Sequence, residues 1–170
     1  MFDSCVLGVD PGVASVGLAA VARRNGAAVV IWSRTVTTSA DLAEAARLRQ
    51  IYAAVREAIA EQRPVAVAVE RLMWGRNTGS AMKVSRASGV ILLAAEDAGL
   101  PVEEYAPLEI KMAVTGVGNA EKAQVRRALE KTHRVENVPS QADAADAAAV
   151  AFCHLQQSRL RKATEEALAR

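Results

Sequence analysis

The chain has 170 residues, of which 51% are hydrophobic and 24% charged, and its formal net charge is +2. This length and composition suit one domain spanning residues 1–170 with its own core, and they exclude a disordered chain. The N-terminus lacks a basic leader and the chain lacks a run of about 20 apolar residues, so we expect no membrane span. The two cysteines, Cys5 and Cys153, have no zinc-site spacing, and we expect free thiols in the cytoplasm.

The basic side chains are concentrated in two segments of the chain. Residues 71–95 carry four Lys or Arg side chains and no acid, and residues 110–134 carry six against two acids. In a nearly neutral chain this pattern favours one basic face that binds nucleic acid. A solvated helix surface would give the same pattern.

The N-terminal third is rich in strand-forming residues. Residues 5–9 (CVLGV) form a short apolar run that ends in Asp-Pro-Gly at 10–12, which is typical of a buried strand followed by a turn. Residues 15–23 and 27–37 predict two further strands, and the Asn-Gly pair between them is typical of a hairpin. We therefore expect three antiparallel strands in sequence.

A helix and a fourth strand follow. Residues 38–61 predict the helix, with Thr38 and Asp41 at the spacing of a capping box. Residues 65–69 (VAVAV) predict a buried strand, and Glu70 comes directly after it. The strand thus ends in an acid, as the first one does.

The C-terminal half alternates in the same way. Residues 79–98 predict a helix whose many small side chains suit either the core or a dimer interface, and residues 101–106 predict a short strand that leads into a loop. A basic helix with Asn119 as its N-cap comes next, and the last helix starts near Ser140 and becomes charged and frayed at 156–170. This order of elements predicts an α/β domain with a mixed sheet.

Four acids occupy positions where burial would be costly without a purpose. Asp10 and Glu70 end two strands, and ligand sites of α/β sheets form at such ends. Asp143 and Asp146 share one face of the last helix and can point toward the same sheet edge. Each acid alone has a plainer explanation: Asp10 suits a turn, Glu70 suits the surface, and Asp143 completes a capping box with Ser140.

Carboxylates that converge in a partly dry site repel one another, and divalent cations relieve that repulsion. An oxygen-only ligand set suits Mg²⁺ or Mn²⁺ rather than zinc. Two such ions about 4 Å apart can hold a phosphate between them and activate water. The four acids therefore predict phosphodiester hydrolysis with two ions in each active site.

The chain resembles the RuvC-type Holliday junction resolvases over nearly its whole length. Four segments carry the resemblance, in order and at matching separations: LGVDPG, VAVERLMWGRN, TGVGNAEKAQV and PSQADAADAAAVAFCH. It implies an RNase H-like fold with a five-stranded mixed sheet, three strands antiparallel and two parallel, and helices on both faces. It also implies a homodimer that binds four-way junction DNA and works beside the RuvA–RuvB branch-migration complex. The acids it assigns to catalysis and metal binding are Asp10, Glu70, Asp143 and Asp146.

The same resemblance implies two symmetric nicks that leave 5′-phosphate and 3′-hydroxyl ends. Lys111 and Lys122 match basic positions of the family near the scissile strand. Apolar residues in the basic loop after Glu70 can wedge between bases or stack on them. The residues expected to contact DNA are Met73, Trp74, Arg76, Asn77, Lys83, Lys111 and Lys122.

Two positions in this loop depart from the family. The family usually has an aromatic residue where this chain has Met73, and here Trp74 follows it. This leaves open which of the two contacts a base. The family often has Gln where this chain has Arg71, and the sequence does not explain that difference.

Three other functions remain open from the sequence. An RNA-cleaving nuclease of the same fold would share the acids. A sugar-kinase or actin-like ATPase would also end its first strand in an acid, but it would need glycine-rich phosphate motifs that we do not find. A non-catalytic junction-binding protein is disfavoured by the intact set of acids.

Overall fold

The computed structural model describes the backbone of residues 4–72 and 78–168 and the side chains of residues 4–72 and 81–158. Within that part of the chain, no helix is long and apolar enough to cross a membrane. Met73, Trp74, Arg76 and Asn77, four of the residues expected to contact DNA, lie outside the described residues.

Five strands of the described chain form one sheet, in the order β3-β2-β1-β4-β5. β1 (Val6–Asp10), β2 (Ser15–Arg24) and β3 (Ala27–Thr37) pair antiparallel, while β4 (Ala66–Glu70) and β5 (Val102–Tyr105) add parallel neighbours beyond β1. The predicted mixed sheet of three antiparallel and two parallel strands is confirmed.

The predicted hairpin between β2 and β3 is also present. Asn25 and Gly26 both have positive φ, 52° and 84°. Two central residues with positive φ characterise the type I′ turn, whose twist matches that of the strands it joins.

Helices cover both faces of the sheet. α1 (Glu44–Gln62) and α2 (Thr78–Glu96) pack together on one face. The other face is covered by α3 (Pro107–Thr115), α4 (Lys122–Arg127), a π-helical turn (Ala128–Thr132) and α5 (Ala142–Leu168). α5 lies across β1 and β2, so its first turns reach the ends of the central strands.

Alternation along β1 decides which residue faces which layer. Leu7 and Val9 are fully buried in the core under α1 and α2, whereas Gly8 faces α5. A side chain at Gly8 would overlap the backbone of Ala147, so the absence of one lets α5 lie directly on the sheet. By the same alternation, Asp10 also faces α5.

The first helix begins later than predicted. It starts at Glu44, and the expected capping box of Thr38 and Asp41 is wrong. Thr38 is buried, and its hydroxyl donates to the carbonyl of Val13 at 2.6 Å. This threonine ties the end of β3 to the turn after β1, which is why it does not start the helix.

The segment after β5 also differs from the prediction. The expected loop contains α3, which starts at Pro107 and has the backbone N–H of Ala106 donating to Glu109 Oε2 at 2.7 Å. Asn119 is not the N-cap of the basic helix. That helix starts after Glu121, whose N–H donates to Gln124 Oε1 at 2.7 Å.

Candidate active site

Asp10 and Glu70 end two adjacent parallel strands and contact each other. β1 and β4 are in register up to the pair Val9 and Val69, so the next residue of each strand is the acid. Their carboxyl groups are close enough that each shifts the pKa of the other. Two ionised carboxylates so close repel each other, which favours a proton on the pair.

The surroundings of this pair explain why it holds a proton. Burial, followed by the charges of Glu70 and Asp146, raises the pKa of Asp10 to about 8. Burial also raises the pKa of Glu70, although its hydrogen bond with Asp10 acts in the opposite direction. At neutral pH and without a cation, the pair therefore carries less than its full negative charge.

Asp146 reaches the same cleft from α5 and is paired with Lys122. The Lys122 ammonium donates to Asp146 Oδ2, and this hydrogen bond is the main reason why the pKa of Lys122 is raised. The lysine side chain is 74% exposed and the aspartate only 21%. Lys122 thus extends from solvent over a largely shielded carboxylate.

A cavity of about 110 Å³ joins these groups. Glu70, Lys111, Lys122 and Asp146 supply its charged lining. The two acids of this lining come from β4 and α5, and the two lysines come from α3 and α4. An anionic ligand entering this cavity would meet both ammonium groups beside the carboxylates.

Asp143 lies one helical turn before Asp146 and is held by β2. Its Oδ2 accepts a hydrogen bond from the Ser15 hydroxyl. The backbone of Asp143 also lies against Gly17, where a side chain would overlap it. The Ser140 carbonyl, by contrast, accepts from the Arg126 guanidinium at 3.0 Å. The structure therefore connects Asp143 to the sheet edge, and its charge contributes to the raised pKa of Lys122.

The acids fit a divalent cation in their chemistry, although they do not yet form a closed ligand cage. Within the described residues, no three His, Cys, Asp or Glu side chains are grouped closely enough to hold a metal ion. Instead, burial and the charge of Glu70 raise the pKa of Asp10, while Asp146 binds Lys122 and Asp143 binds Ser15. These carboxylates repel one another, and protons or an ammonium group now reduce that repulsion. Mg²⁺ or Mn²⁺ prefers such oxygen ligands and could replace the protons and the ammonium.

Arg71 and Lys83 lie on the other side of Glu70. Arg71 lines a second opening of the cleft together with Asp10 and Glu70, and its guanidinium is 3.8 Å from Glu109 Oε2. Lys83 is exposed on α2 beside Val84, which lines the same opening. Arg71 thus adds positive charge to this opening.

Ser15 and Gly17 are residues of the site that the sequence did not single out. The available signal was the register of β2 against β1, because the observed pairing places Gly17 opposite Asp10. A glycine opposite a strand-end acid indicates that another part of the chain approaches there.

The chain is similar in sequence to a family of known endonucleases. Residues 6–154 match the family model for crossover junction endodeoxyribonuclease RuvC. The chain is 43% identical to that enzyme of Syntrophomonas wolfei over 155 residues, which cover 91% of this chain and 90% of the relative. It is 42% identical to that of Moorella thermoacetica over 165 residues, or 97% of this chain and 99% of the relative.

The fold is similar to that of a solved resolvase. Thermus thermophilus RuvC, in complex with a Holliday junction substrate, superposes with a TM-score of 0.85 and 34% sequence identity. The match covers 93% of this chain and 96% of that one. The similarity therefore extends over most of the fold.

Proposed function

Because the chain belongs to the RuvC family of crossover junction endodeoxyribonucleases, we propose that it resolves Holliday junctions. In this proposal it hydrolyses one phosphodiester bond in each of two like strands and leaves 5′-phosphate and 3′-hydroxyl ends. The observation that carries the proposal is the contact between Asp10 and Glu70, with Asp146 and two lysines around the same cavity. A cavity lined by both carboxylates and ammonium groups suits a phosphate that is to be attacked by water.

The four acids would hold two Mg²⁺ or Mn²⁺ ions. When bound, such ions make water a better nucleophile and stabilise the charge that develops on the phosphate. The protein's part is to hold its carboxyl groups at the ends of rigid elements. Asp10 and Glu70 are fixed by the sheet, and Asp143 and Asp146 by the first turns of α5. Asp10 and Glu70 must release their shared proton when cations bind.

Lys122 and Lys111 would bind the phosphates of the strand that is cut. Lys122 neutralises Asp146 in the present structure. A phosphate that enters the cavity would give this flexible ammonium a second anionic partner. A bound cation would then neutralise Asp146 in place of the lysine. The lysine would thus keep the acids compatible with each other before substrate binds. Lys83 would contact the backbone farther along a DNA arm, and Met73, Trp74, Arg76 and Asn77 would contact bases or phosphates near the crossover.

We also propose a homodimer that uses the outer face of α2. Met82 and Leu93 are 51% and 52% exposed on that helix, and the exposed Gly89 lies between them. Small and apolar residues on one face let two helices approach closely. A two-fold dimer presents two equal active sites to a junction with approximate two-fold symmetry, which suits paired nicks. The RuvA–RuvB complex would move the branch point on the same DNA.

The decisive experiment is cleavage of a mobile synthetic four-way junction, with 5′-labelled strands, in Mg²⁺, Mn²⁺ or EDTA. Linear duplex DNA and an RNA–DNA hybrid serve as competing substrates. We expect paired nicks in the junction that depend on the cation, and ligation of the products would demonstrate 5′-phosphate and 3′-hydroxyl ends. Preference for the hybrid would replace this proposal with an RNase H-type activity. ATP hydrolysis without DNA cleavage would replace it with an ATPase.

A further inference from the structure

Ser15 begins β2 on the face of the sheet that α5 covers. Its hydroxyl donates a hydrogen bond to Asp143 Oδ2 and so joins residues 128 positions apart in the chain. We propose that Ser15 is a positioning residue, which holds the Asp143 carboxylate in the orientation that a divalent cation requires. This inference rests on the proposed role of Asp143 as a metal ligand.

The partner of Asp143 differs in kind from the partners of the other acids. Asp10 has Glu70 at the end of the neighbouring strand, and Asp146 faces the Lys122 ammonium. The serine hydroxyl is neutral, so it orients Asp143 without supplying a competing positive charge. It is also bonded to Oδ2, which leaves the other carboxylate oxygen open to a cation.

The backbone of Asp143 is already fixed by a second contact with β2. Gly17 lies against the Asp143 carbonyl so closely that a Cβ would overlap it. With the backbone held, the remaining freedom of Asp143 is the rotation of its side chain, and the bond from Ser15 restricts that rotation. Partners that orient a metal ligand in this way typically contribute about 10- to 100-fold to metal affinity.

The test uses the full chain with Ser15→Ala and Ser15→Thr. The Ser15→Thr variant keeps the hydroxyl and suits a strand, whereas Ser15→Ala removes it. Mn²⁺ binding is measured by the loss of the electron paramagnetic resonance signal of free Mn²⁺, in the absence of DNA. Ser33→Ala, which changes an exposed serine of β3, is the matched control.

We expect Ser15→Ala to raise the dissociation constant for Mn²⁺ about 10-fold, by the outer-shell effect just described. Ser15→Thr and Ser33→Ala should stay close to wild type. Junction affinity in EDTA should not change in any of the three, because the hydroxyl acts through Asp143. Ser15→Ala should melt at a slightly lower temperature, since it loses a hydrogen bond to a carboxylate. The Mn²⁺ concentration for half-maximal cleavage should rise with the dissociation constant.

Two results would overturn this inference while leaving the proposed function intact. One is a Ser15→Ala variant that binds Mn²⁺ as tightly as wild type. The other is a Ser15→Thr variant as weak as Ser15→Ala, since that would indicate packing rather than the hydroxyl. If the wild-type chain binds no Mn²⁺ and cuts no junction, the proposed function fails and this inference fails with it.

Discussion

Gly17 lies directly opposite Asp10 in the sheet and directly beneath the backbone carbonyl of Asp143. One glycine is therefore in contact with both the strand and the helix that supply the acids. Because Gly17 has no side chain, the first turn of α5 can lie next to the ends of the strands. The distance between the two pairs of acids depends on this position.

We predict that Gly17→Ala damages the active site more than its small size suggests. The added methyl group would overlap the Asp143 carbonyl, so the start of α5 has to move away from β2. Such overpacking costs about 1–3 kcal/mol in the free energy of unfolding. Urea unfolding should show this loss, and junction cleavage should fall at least about 10-fold, since catalytic geometry tolerates small displacements poorly. Wild-type stability and cleavage in this variant would contradict the close approach of α5.

A second prediction concerns the metal-free stability of the Asp10 site. The folded-state pKa of Asp10, about 8, lies above its ordinary value of 3.8. The contribution of this carboxyl to stability is therefore fully present below pH 4 and is lost as the pH rises toward 8. The Asp10→Asn variant does not lose this stability, because its amide does not ionise. In EDTA at pH 7 it should unfold with a free energy about 2 kcal/mol higher than wild type, because one pKa unit corresponds to about 1.4 kcal/mol and Glu70 carries part of the shift.

The sign and the pH range of this effect can both be checked. The difference between Asp10→Asn and wild type should be small at pH 4, grow up to pH 8 and then level off. In Mg²⁺ the difference should shrink or reverse, because only wild type gains stability from a bound cation. Glu61→Gln, an exposed change on α1, serves as control and should show no such trend. A wild-type protein that is more stable than Asp10→Asn in EDTA at pH 7 would disprove the burial argument.

The sequence predicted the sheet and the positions of Asp10 and Glu70 at strand ends because both depend on local pattern and order. Apolar runs closed by Asp10 and Glu70 mark strand ends whatever the rest of the chain does. The start of α1 was wrong because Thr38 bonds to Val13, a contact over 25 residues that its capping-box spacing does not reveal. Ser15 was missed for the same reason. Its partner lies at the far end of the chain, and only the fold brings the two together.

A third prediction tests whether Lys122 binds a phosphate at the active site or only adds to the net positive charge of the protein. Lys122→Gln should weaken junction binding in EDTA and lower the slope of log affinity against log salt by about one, as expected for one lost phosphate contact. Cleavage at saturating junction should fall about 100-fold or more, because the phosphate loses a ligand beside the acids. Arg49→Gln, at an exposed position of α1 on the opposite face of the sheet, should change neither. Equal effects of the two variants would mean that Lys122 contributes only net charge.

A fourth prediction addresses the proposed dimer. Leu93→Lys places a charge on the exposed face of α2, where a partner helix would have to bury it. Val65→Lys is a matched control, because Val65 is just as exposed, at 52%, but lies outside α2. In sedimentation equilibrium at micromolar concentration, wild type and Val65→Lys should be dimers and Leu93→Lys a monomer. A dimeric Leu93→Lys would move the interface to another surface.

Asp146→Asn tests whether the acids cut DNA or only shape the cleft. The amide is nearly isosteric with the carboxylate and can still contact Lys122, so the fold and the basic rim should persist. The substitution removes a negative charge that would bind a cation. Cleavage in Mg²⁺ or Mn²⁺ should therefore fall below about one-thousandth of the wild-type rate, which corresponds to the loss of about 4 kcal/mol of transition-state stabilisation. Junction affinity in EDTA should equal or exceed that of wild type, because one negative charge less opposes the phosphates. Gel-shift and cleavage assays on the same junction measure both. An Asp146→Asn variant that cuts at the wild-type rate would remove this carboxylate from the catalytic set.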